Sequence, residues 1–263
     1  MANASKEKLS LASPLIKKAV KIEADGARAT YKGIFNKSVL FLALAIAGAI
    51  LAFVIHFIPM GTVIEEEGVT LHSVELILAI ISCGIFLIFP FIAVFARKTT
   101  AVVGSICYVA IGYTIGFLSC VIDGYGAIAF AALVITLAIV ATMLALFVTG
   151  VIKVTSKFKT VLYSSIGAMI LASIILIICY FIPVFRPIYE FFAENLAMSI
   201  LISVLGLILA CGFLMIDFST AKDAVESGVS EKAEWQIAFS LVFTIVWIYF
   251  KVLEILAYVK DGK

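Results

Sequence analysis

Charged side chains are scarce in this sequence: Asp, Glu, Lys and Arg together make up 14% of its 263 residues. In soluble globular domains these residues make up about a quarter of the chain. Hydrophobic residues reach 64%, and the mean hydropathy is +1.21. One globular core cannot enclose that much apolar surface, so most of it must face lipid or other lipid-buried helices. The shortage of charge therefore argues against a soluble enzyme and predicts an integral membrane protein.

Groups that carry out catalysis or hold metal ions are also scarce. There are two histidines, His56 and His72, on or near the first loop. The five cysteines all lie in apolar stretches and have no CxxC spacing. Such cysteines usually pack as small hydrophobic residues. The sequence has no P-loop, no HExxH motif and no Ser/His/Asp set. We therefore expect no enzymatic activity, no cofactor and no zinc or disulfide framework, and the net charge of +2 gives no reason to expect nucleic-acid binding.

Long apolar stretches are what the sequence has instead. A membrane-spanning helix needs about 20 mostly apolar residues, and seven stretches qualify: Ser38–Ile58, Ser73–Ala96, Ala101–Ile122, Gly126–Val148, Val161–Ile182, Leu196–Phe218 and Gln236–Val259. None alternates in polarity as a barrel strand does. We predict an all-α membrane protein with a bundle of seven transmembrane helices. Residues 1–37 are interpreted as a basic cytoplasmic tail and residues 38–260 as the transmembrane domain, with no cleavable signal peptide.

The distribution of Lys and Arg predicts the orientation of these spans, because cytoplasmic segments are enriched in both residues. The N-terminal segment and the even-numbered loops hold all 19 of them except Arg186, Lys251, Lys260 and Lys263. The first loop carries acidic residues instead, at Glu65–Glu67. We expect a multi-pass protein of the cell (plasma) membrane, with its N-terminus inside and its C-terminus outside.

One loop has the composition of an interfacial element. The segment Pro183–Asn195 contains Pro183 and Pro187, and Ile188–Phe192 adds aromatic side chains. Aromatic side chains with a polar tip favour the headgroup region of a membrane. We predict a partly helical element at the level of the outer headgroups.

Ionisable residues inside the predicted spans are the first candidates for a functional site, because a charge in the membrane interior is costly. Four stand out: Glu75 opens the second span, Asp217 closes the sixth, and Lys251 and Glu254 lie within the seventh. Glu75 is interpreted as an interfacial residue that the helix dipole stabilises.

Asp217 lies in the stretch LMIDFSTAKD, about a turn and a half inside the sixth span if that helix continues to Lys222. A carboxylate at that depth needs a cationic partner or takes up a proton, since burial disfavours its charge. Arg97 and Lys98, at the cytoplasmic end of the second span, are placed at the matching depth. A bridge from Asp217 to either residue would form a pH-sensitive latch. The alternative is an ordinary interfacial aspartate.

Two further patterns concern the helix faces. Lys251 and Glu254 are three residues apart and share one face of the last span. Either this face points into the bundle as part of a site, or Lys251 extends to the outer headgroups while Glu254 pairs with it. In the third span, Gly104, Gly112 and Gly116 predict the close approach of another helix, and packing within one chain is favoured over dimerisation.

The order of these features resembles the Bax inhibitor-1 family of membrane proteins, and most closely its prokaryotic branch. Four stretches carry the resemblance: Thr30–Ile50, which leads into the first span; Arg97–Gly116, with its basic pair and spaced glycines; Phe213–Asp223 (FLMIDFSTAKD); and Glu234–Val259. The resemblance extends over roughly the whole segment from Thr30 to Lys260.

This resemblance implies a seven-helix bundle with a central seventh helix, and a pH-responsive calcium leak linked to stress and to the suppression of cell death. It also implies one carboxylate on each of the sixth and seventh spans and a basic residue near the end of the second. Asp217 matches the first carboxylate, and Arg97 or Lys98 matches the basic residue. Lys251, in Tyr249-Phe250-Lys251, stands where the second acid is expected. Glu254, one turn along, is the remaining acid, so a calcium ion would have Asp217 and Glu254 at most.

Two functions follow as hypotheses. The first is a pH-sensitive cation (calcium) leak, in which Asp217 is the sensor and Lys251 and Glu254 modify it. The second is a non-conducting membrane regulator that binds a partner, such as a membrane protease, through the N-terminal tail and residues 219–235. A small-solute transporter is a weaker third hypothesis, because no inverted repeat or broken helix pair is evident. The lipid bilayer is the expected surroundings of the chain. Calcium ions are the expected partner under the first hypothesis and a membrane protein under the second, and no nucleic-acid partner is expected.

Overall fold

The computed structural model describes residues 28–58, 61–66, 69–95, 99–123 and 127–261. Within these ranges the chain forms eight helices and one β-hairpin. In chain order they are α1 (Tyr31–His56), β1 (Val63–Glu66), β2 (Val69–His72), α2 (Ser73–Phe95), α3 (Thr100–Asp123), α4 (Ala127–Val148), α5 (Ser156–Phe181), α6 (Arg186–Glu194), α7 (Leu196–Glu226) and α8 (Ala233–Asp261).

The predicted membrane fold is confirmed. All the helices except α6 are long and apolar enough to cross a bilayer, which gives seven candidate spans in the described part of the chain. A helix satisfies its backbone donors and acceptors internally, which is why it is suited to the hydrocarbon region. The chain is an all-α, multi-span membrane protein.

Several helices extend beyond the predicted spans, because polar residues at their ends cap them. Helix α1 begins at Tyr31 rather than Ser38, and the Thr30 hydroxyl accepts a hydrogen bond from the Gly33 amide at 2.9 Å. Helix α5 begins at Ser156 rather than Val161, behind the capping residue Thr155. Such side chains satisfy amides that have no partner within the first turn. Hydropathy alone identifies the apolar part of a helix and misses its polar ends.

The first loop contains a hairpin that the sequence did not predict. Strands β1 and β2 pair antiparallel, with Val63 opposite His72 and Glu66 opposite Val69. The hairpin is joined to α2, since the Ser73 amide donates to the Thr62 carbonyl at 3.0 Å and the Thr62 amide donates to the Ser73 hydroxyl at 3.1 Å. The acidic stretch is therefore partly ordered β-structure.

The chain divides into two compact units. The first comprises Met1–Ala129 and Thr220–Phe243, and the second comprises Phe130–Ser219 and Thr244–Lys263. Helices α7 and α8 thus contribute residues to both units.

Close packing of α1 against α3 forms the centre of the first unit. A Cβ atom on Gly112 would overlap the carbonyl oxygen of Ala45, and one on Gly48 would overlap that of Val109. Around this contact, Phe41 lies 4.8 Å from Tyr108 between ring centroids. The Tyr108 hydroxyl donates to the Phe239 carbonyl of α8 at 2.5 Å. The spaced glycines of α3 therefore serve packing within one chain, as the sequence indicated.

In the second unit, the segment Pro183–Asn195 contains the short helix α6, so its predicted helical character is confirmed. Arg186 pairs with Glu190 at 3.1 Å along this helix. The side chains of Ile188 and Phe191 are about half exposed. Asn195 then caps α7, since its side-chain oxygen accepts from the Ala197 and Met198 amides. The depth of α6 in the membrane remains a prediction.

Candidate functional site

Asp217 lies well inside α7, which continues to Glu226. Nine residues of helix correspond to about 13 Å. The Asp217 side chain is half-buried in the second unit, and its Oδ2 accepts a hydrogen bond from the hydroxyl of Thr244 on α8 at 2.5 Å. Hydrogen bonds to a carboxylate are short and strong. The structure therefore places the predicted sensor in contact with the last helix.

Thr244 is a site residue that the sequence did not reveal. It is 6% exposed and lies in the apolar stretch FTIVW. The hydroxyl of a threonine within a helix can bond to the carbonyl four residues earlier in the same helix, so its pattern did not point to Asp217. The predicted cationic partners, Arg97 and Lys98, lie outside the described residues.

Lys251 and Glu254 form an ion pair on α8. The Lys251 ammonium lies 2.6 Å from Glu254 Oε2, and the Tyr258 hydroxyl donates to Glu254 Oε1 at 3.4 Å. The Lys251 side chain is 22% exposed and lies against α7: a Cβ atom on Gly206 would be 3.1 Å from its Cε. The two residues share one face, as predicted, and the lysine stem lies against a glycine.

The ion pair is displaced along α8 from the Asp217 contact. Lys251 follows Thr244 by seven residues, which is about two turns or 10 Å. At the position where the family resemblance implies an acid, the structure has a lysine whose charge Glu254 balances. Among the described residues, no group of three or more His, Cys, Asp or Glu side chains is placed to hold a metal ion.

Glu75 is almost completely buried within the first unit. It is 1% exposed, in the first turn of α2. Its Oε1 lies 2.8 Å from Nδ1 of His56, the last residue of α1, and its Oε2 lies 3.5 Å from the His72 amide. The Tyr113 hydroxyl of α3 donates to the Glu75 carbonyl at 3.4 Å. One residue thus connects three helices and the hairpin of the first unit.

Glu234, which the sequence did not single out, is equally buried. It is 1% exposed in the first turn of α8, and its Oε2 lies 2.6 Å from the Lys37 ammonium of α1. Its Oε1 accepts from the Thr30 amide at 2.7 Å. The Lys37 ammonium also lies 5.1 Å above the Trp235 ring and 3.6 Å from Glu231. We call Thr30, Lys37 and Glu234 the clasp.

An apolar groove in the first unit does not resemble an ion path. Its volume is about 420 Å³, and its lining includes Leu44, Leu51, Leu78 and Ile106. The Ser82 hydroxyl in its wall donates to the Ala79 carbonyl at 3.0 Å. Calcium takes six to eight oxygen ligands, and this lining does not offer them. The groove is therefore not a candidate calcium site.

Comparison with known proteins adds one finding. The model of a family described as Bax inhibitor 1 like matches residues 5–261. No curated protein sequence matches the chain. The matched segment contains Asp217 and the last helix, which carries the ion pair of Lys251 and Glu254.

Proposed function

The chain belongs to the Bax inhibitor 1-like family, and on this premise we propose that it is a pH-sensitive cation leak, with calcium as the cation, that takes part in a stress response. The observation that carries the proposal is the contact between Asp217 in α7 and Thr244 in α8. A carboxylate inside a membrane helix is costly to maintain and is a functional candidate for that reason. The assignment as an integral membrane protein rests on the seven spans and does not depend on conduction.

The proposed orientation places the N-terminus in the cytoplasm of a cell whose plasma membrane holds the protein. Its support is the concentration of Lys and Arg before the first span and in the even-numbered loops. In that orientation the end of α7 lies on the cytoplasmic side, so Asp217 responds to cytoplasmic protons.

In the proposed mechanism, the charge on Asp217 keeps the leak closed. The ionised carboxylate accepts the Thr244 hydroxyl and is the group that Arg97 or Lys98 would bridge. A proton on Asp217 removes the charge and weakens both interactions, because an ionised acceptor forms the stronger hydrogen bond. Release of these contacts lets the helices separate at this point, so flux rises as the pH falls.

Asp217→Asn is expected to abolish the pH dependence of calcium flux, because asparagine has no proton to gain or lose. The measurement is calcium uptake into proteoliposomes at pH 6 and pH 8, with wild type beside the variant. Glu226→Gln is the matched control: it lies on the same helix, is about half exposed and sits 3.9 Å from Lys222. The control should keep the wild-type response. An unchanged response in Asp217→Asn would remove Asp217 from the mechanism.

A second candidate function is a non-conducting regulator that binds a partner protein in the membrane. The observation that favours it is the ion pair of Lys251 and Glu254. A lysine repels a divalent cation, whereas two acids would attract one. In this reading, the N-terminal segment and residues 219–235 contact the partner.

Lys251→Met distinguishes the two candidates. Removing the lysine charge leaves Glu254 unbalanced, so a conducting chain should gain calcium flux by about three- to tenfold, the effect of roughly 1 kcal/mol of Coulomb energy. The assay is again calcium uptake into proteoliposomes, and Lys260→Met, at the end of α8, is the control expected to change little. Absence of flux from wild type and Lys251→Met alike would favour the regulator.

A further inference from the structure

The apolar groove of the first unit lies between α1 and α2, with α3 along its base. Helices α1 and α2 each pack closely on α3, whereas they make few contacts with each other over their described residues. The groove of about 420 Å³ lies in the gap between them. We propose that it is a lipid site, which binds one acyl chain of a bilayer phospholipid. The proposal goes beyond the leak and holds whether or not the protein conducts ions.

The groove lies at the depth of lipid acyl chains. On α1 its lining extends from Leu44 to Leu51, which is about 8 to 18 Å before the last residue of this helix, His56. A bilayer has a hydrocarbon core about 30 Å thick, so the leaflet nearer to His56 surrounds this part of α1. On the open side, the lining residues Leu51, Ile81 and Ile106 are about half exposed. An acyl chain of that leaflet can therefore enter the groove sideways.

The polar groups of the lining are already bonded within the protein. The Ser105 hydroxyl donates to a carbonyl of its own helix at 2.7 Å, and the Ser82 hydroxyl does the same at 3.0 Å. The Tyr113 hydroxyl donates to the Glu75 carbonyl at 3.4 Å. A ligand that needs hydrogen bonds would lose its hydration here without replacement, which is costly. The lining therefore favours an apolar occupant.

The size of the groove favours an acyl chain over a helix from a second copy of the protein. An α-helix with its side chains is about 10–12 Å in diameter, so a 10 Å length of it fills roughly 800 Å³ or more, about twice the volume of the groove. Membrane helices also approach one another closely where small residues line the contact. The open side of this groove carries Leu51, Ile81 and Ile106 instead. One flexible acyl chain suits both the volume and the lining.

A bound acyl chain would complete the packing of α1 against α2. At one end of the groove, Ala52 of α1, Ala79 of α2 and Tyr113 of α3 form a buried cluster, whereas along the groove α1 and α2 are separated. Lipid tails are as apolar as leucine, so the hydrophobic effect does not favour binding and van der Waals packing must supply the preference. An acyl chain between three helices gains more of these contacts than one on a single helix surface.

Photo-crosslinking in proteoliposomes tests the site. The vesicles contain phosphatidylglycerol and phosphatidylcholine, a small part of which carries a diazirine midway along one acyl chain, and peptide mass spectrometry locates the labelled residues. Ile81 and Ile106 in the groove should be labelled about tenfold more than Ile170 and Ile174 of α5, a ratio that corresponds to about 1.4 kcal/mol. All four side chains are 45% to 55% exposed, so contact with bulk lipid alone would label them alike.

Ser105→Phe should fill the groove and lower the labelling of Ile81 and Ile106 to the level of α5, because Ser105 is part of the lining. Gly84→Phe is the matched control. It places the same ring on α2 at a position where a Cβ atom has no neighbour within 4 Å, and it should leave the label in the groove unchanged. If Ser105→Phe does not fold, the comparison of the four isoleucines in wild type still decides.

Three results would overturn the proposal. Equal labelling of the four isoleucines in wild type would mean that the groove has no preference for an acyl chain. A label that Ser105→Phe retains at Ile81 and Ile106 would come from lipid outside the groove. A disulfide-linked dimer formed in high yield by Ile81→Cys in the same vesicles would show that a second copy occupies the groove.

Discussion

Glu234→Ala is expected to destabilise the first unit by about 3 kcal/mol, because it leaves one charge of a buried pair without its partner. Lys37, 14% exposed, would lose the carboxylate at 2.6 Å, and the Thr30 amide would lose its acceptor at 2.7 Å. The unfolding transition in detergent, followed by tryptophan fluorescence, measures the effect. Trp235 is a suitable reporter because its ring lies 5.1 Å below the Lys37 ammonium.

Two variants separate the buried charge from the rest of the clasp. Glu231→Ala removes an acid that also faces Lys37 but is 56% exposed at 3.6 Å, so it should cost less than about 0.5 kcal/mol. The double variant Lys37→Met/Glu234→Met should recover much of the stability that Glu234→Ala loses, because an apolar pair of similar volume often replaces a buried ion pair well. If the double variant is as unstable as Glu234→Ala, the loss does not come from an unbalanced charge.

Gly112→Ala is expected to cost about 3 kcal/mol or to prevent folding. The added methyl group would overlap the Ala45 carbonyl oxygen on α1. A backbone carbonyl cannot move aside as a side chain can by changing rotamer, so α1 and α3 must separate to relieve the overlap. Overpacking of this kind is strongly destabilising. Thermal unfolding and the yield of monodisperse protein in detergent measure the effect.

Gly167→Ala is the matched control for this prediction. Gly167 lies in α5, and a Cβ atom there has no neighbour within 4 Å. Alanine favours a helix interior over glycine by about 0.5–1 kcal/mol, so this variant should be neutral or slightly more stable. Equal losses from Gly112→Ala and Gly167→Ala would mean that the α1–α3 contact is not what the glycine protects.

The sequence predicted the membrane fold because length and apolar composition alone define a span. It missed the polar ends of the helices, where Thr30 and Thr155 act as caps outside the apolar stretches. It also missed the hairpin, because a four-residue strand gives a weak pattern. Orientation depends on loop charges and remains a prediction.

The candidate site was predictable only in part. Asp217, Lys251 and Glu254 were found because a charge in an apolar stretch is conspicuous. Thr244 was not found, because a hydroxyl in a helix can be satisfied by a carbonyl of the same helix and so does not by itself indicate a partner on another helix. Glu234 was not identified from the sequence because its role depends on Lys37, 197 residues earlier in the chain. A local sequence pattern does not indicate such a contact.

The length of chain between the two ends of the clasp has a consequence for biosynthesis. Lys37 leaves the ribosome among the first residues, and Glu234 follows 197 residues later. At about 5–20 residues per second, the lysine waits on the order of 10 to 40 s for its acid. During that time Lys37 and the Thr30 amide must be hydrated or held by other groups. A nascent chain that stops before Ala233 lacks Glu234, so Lys37 and the Thr30 amide cannot form the contacts that join α1 to the last helix.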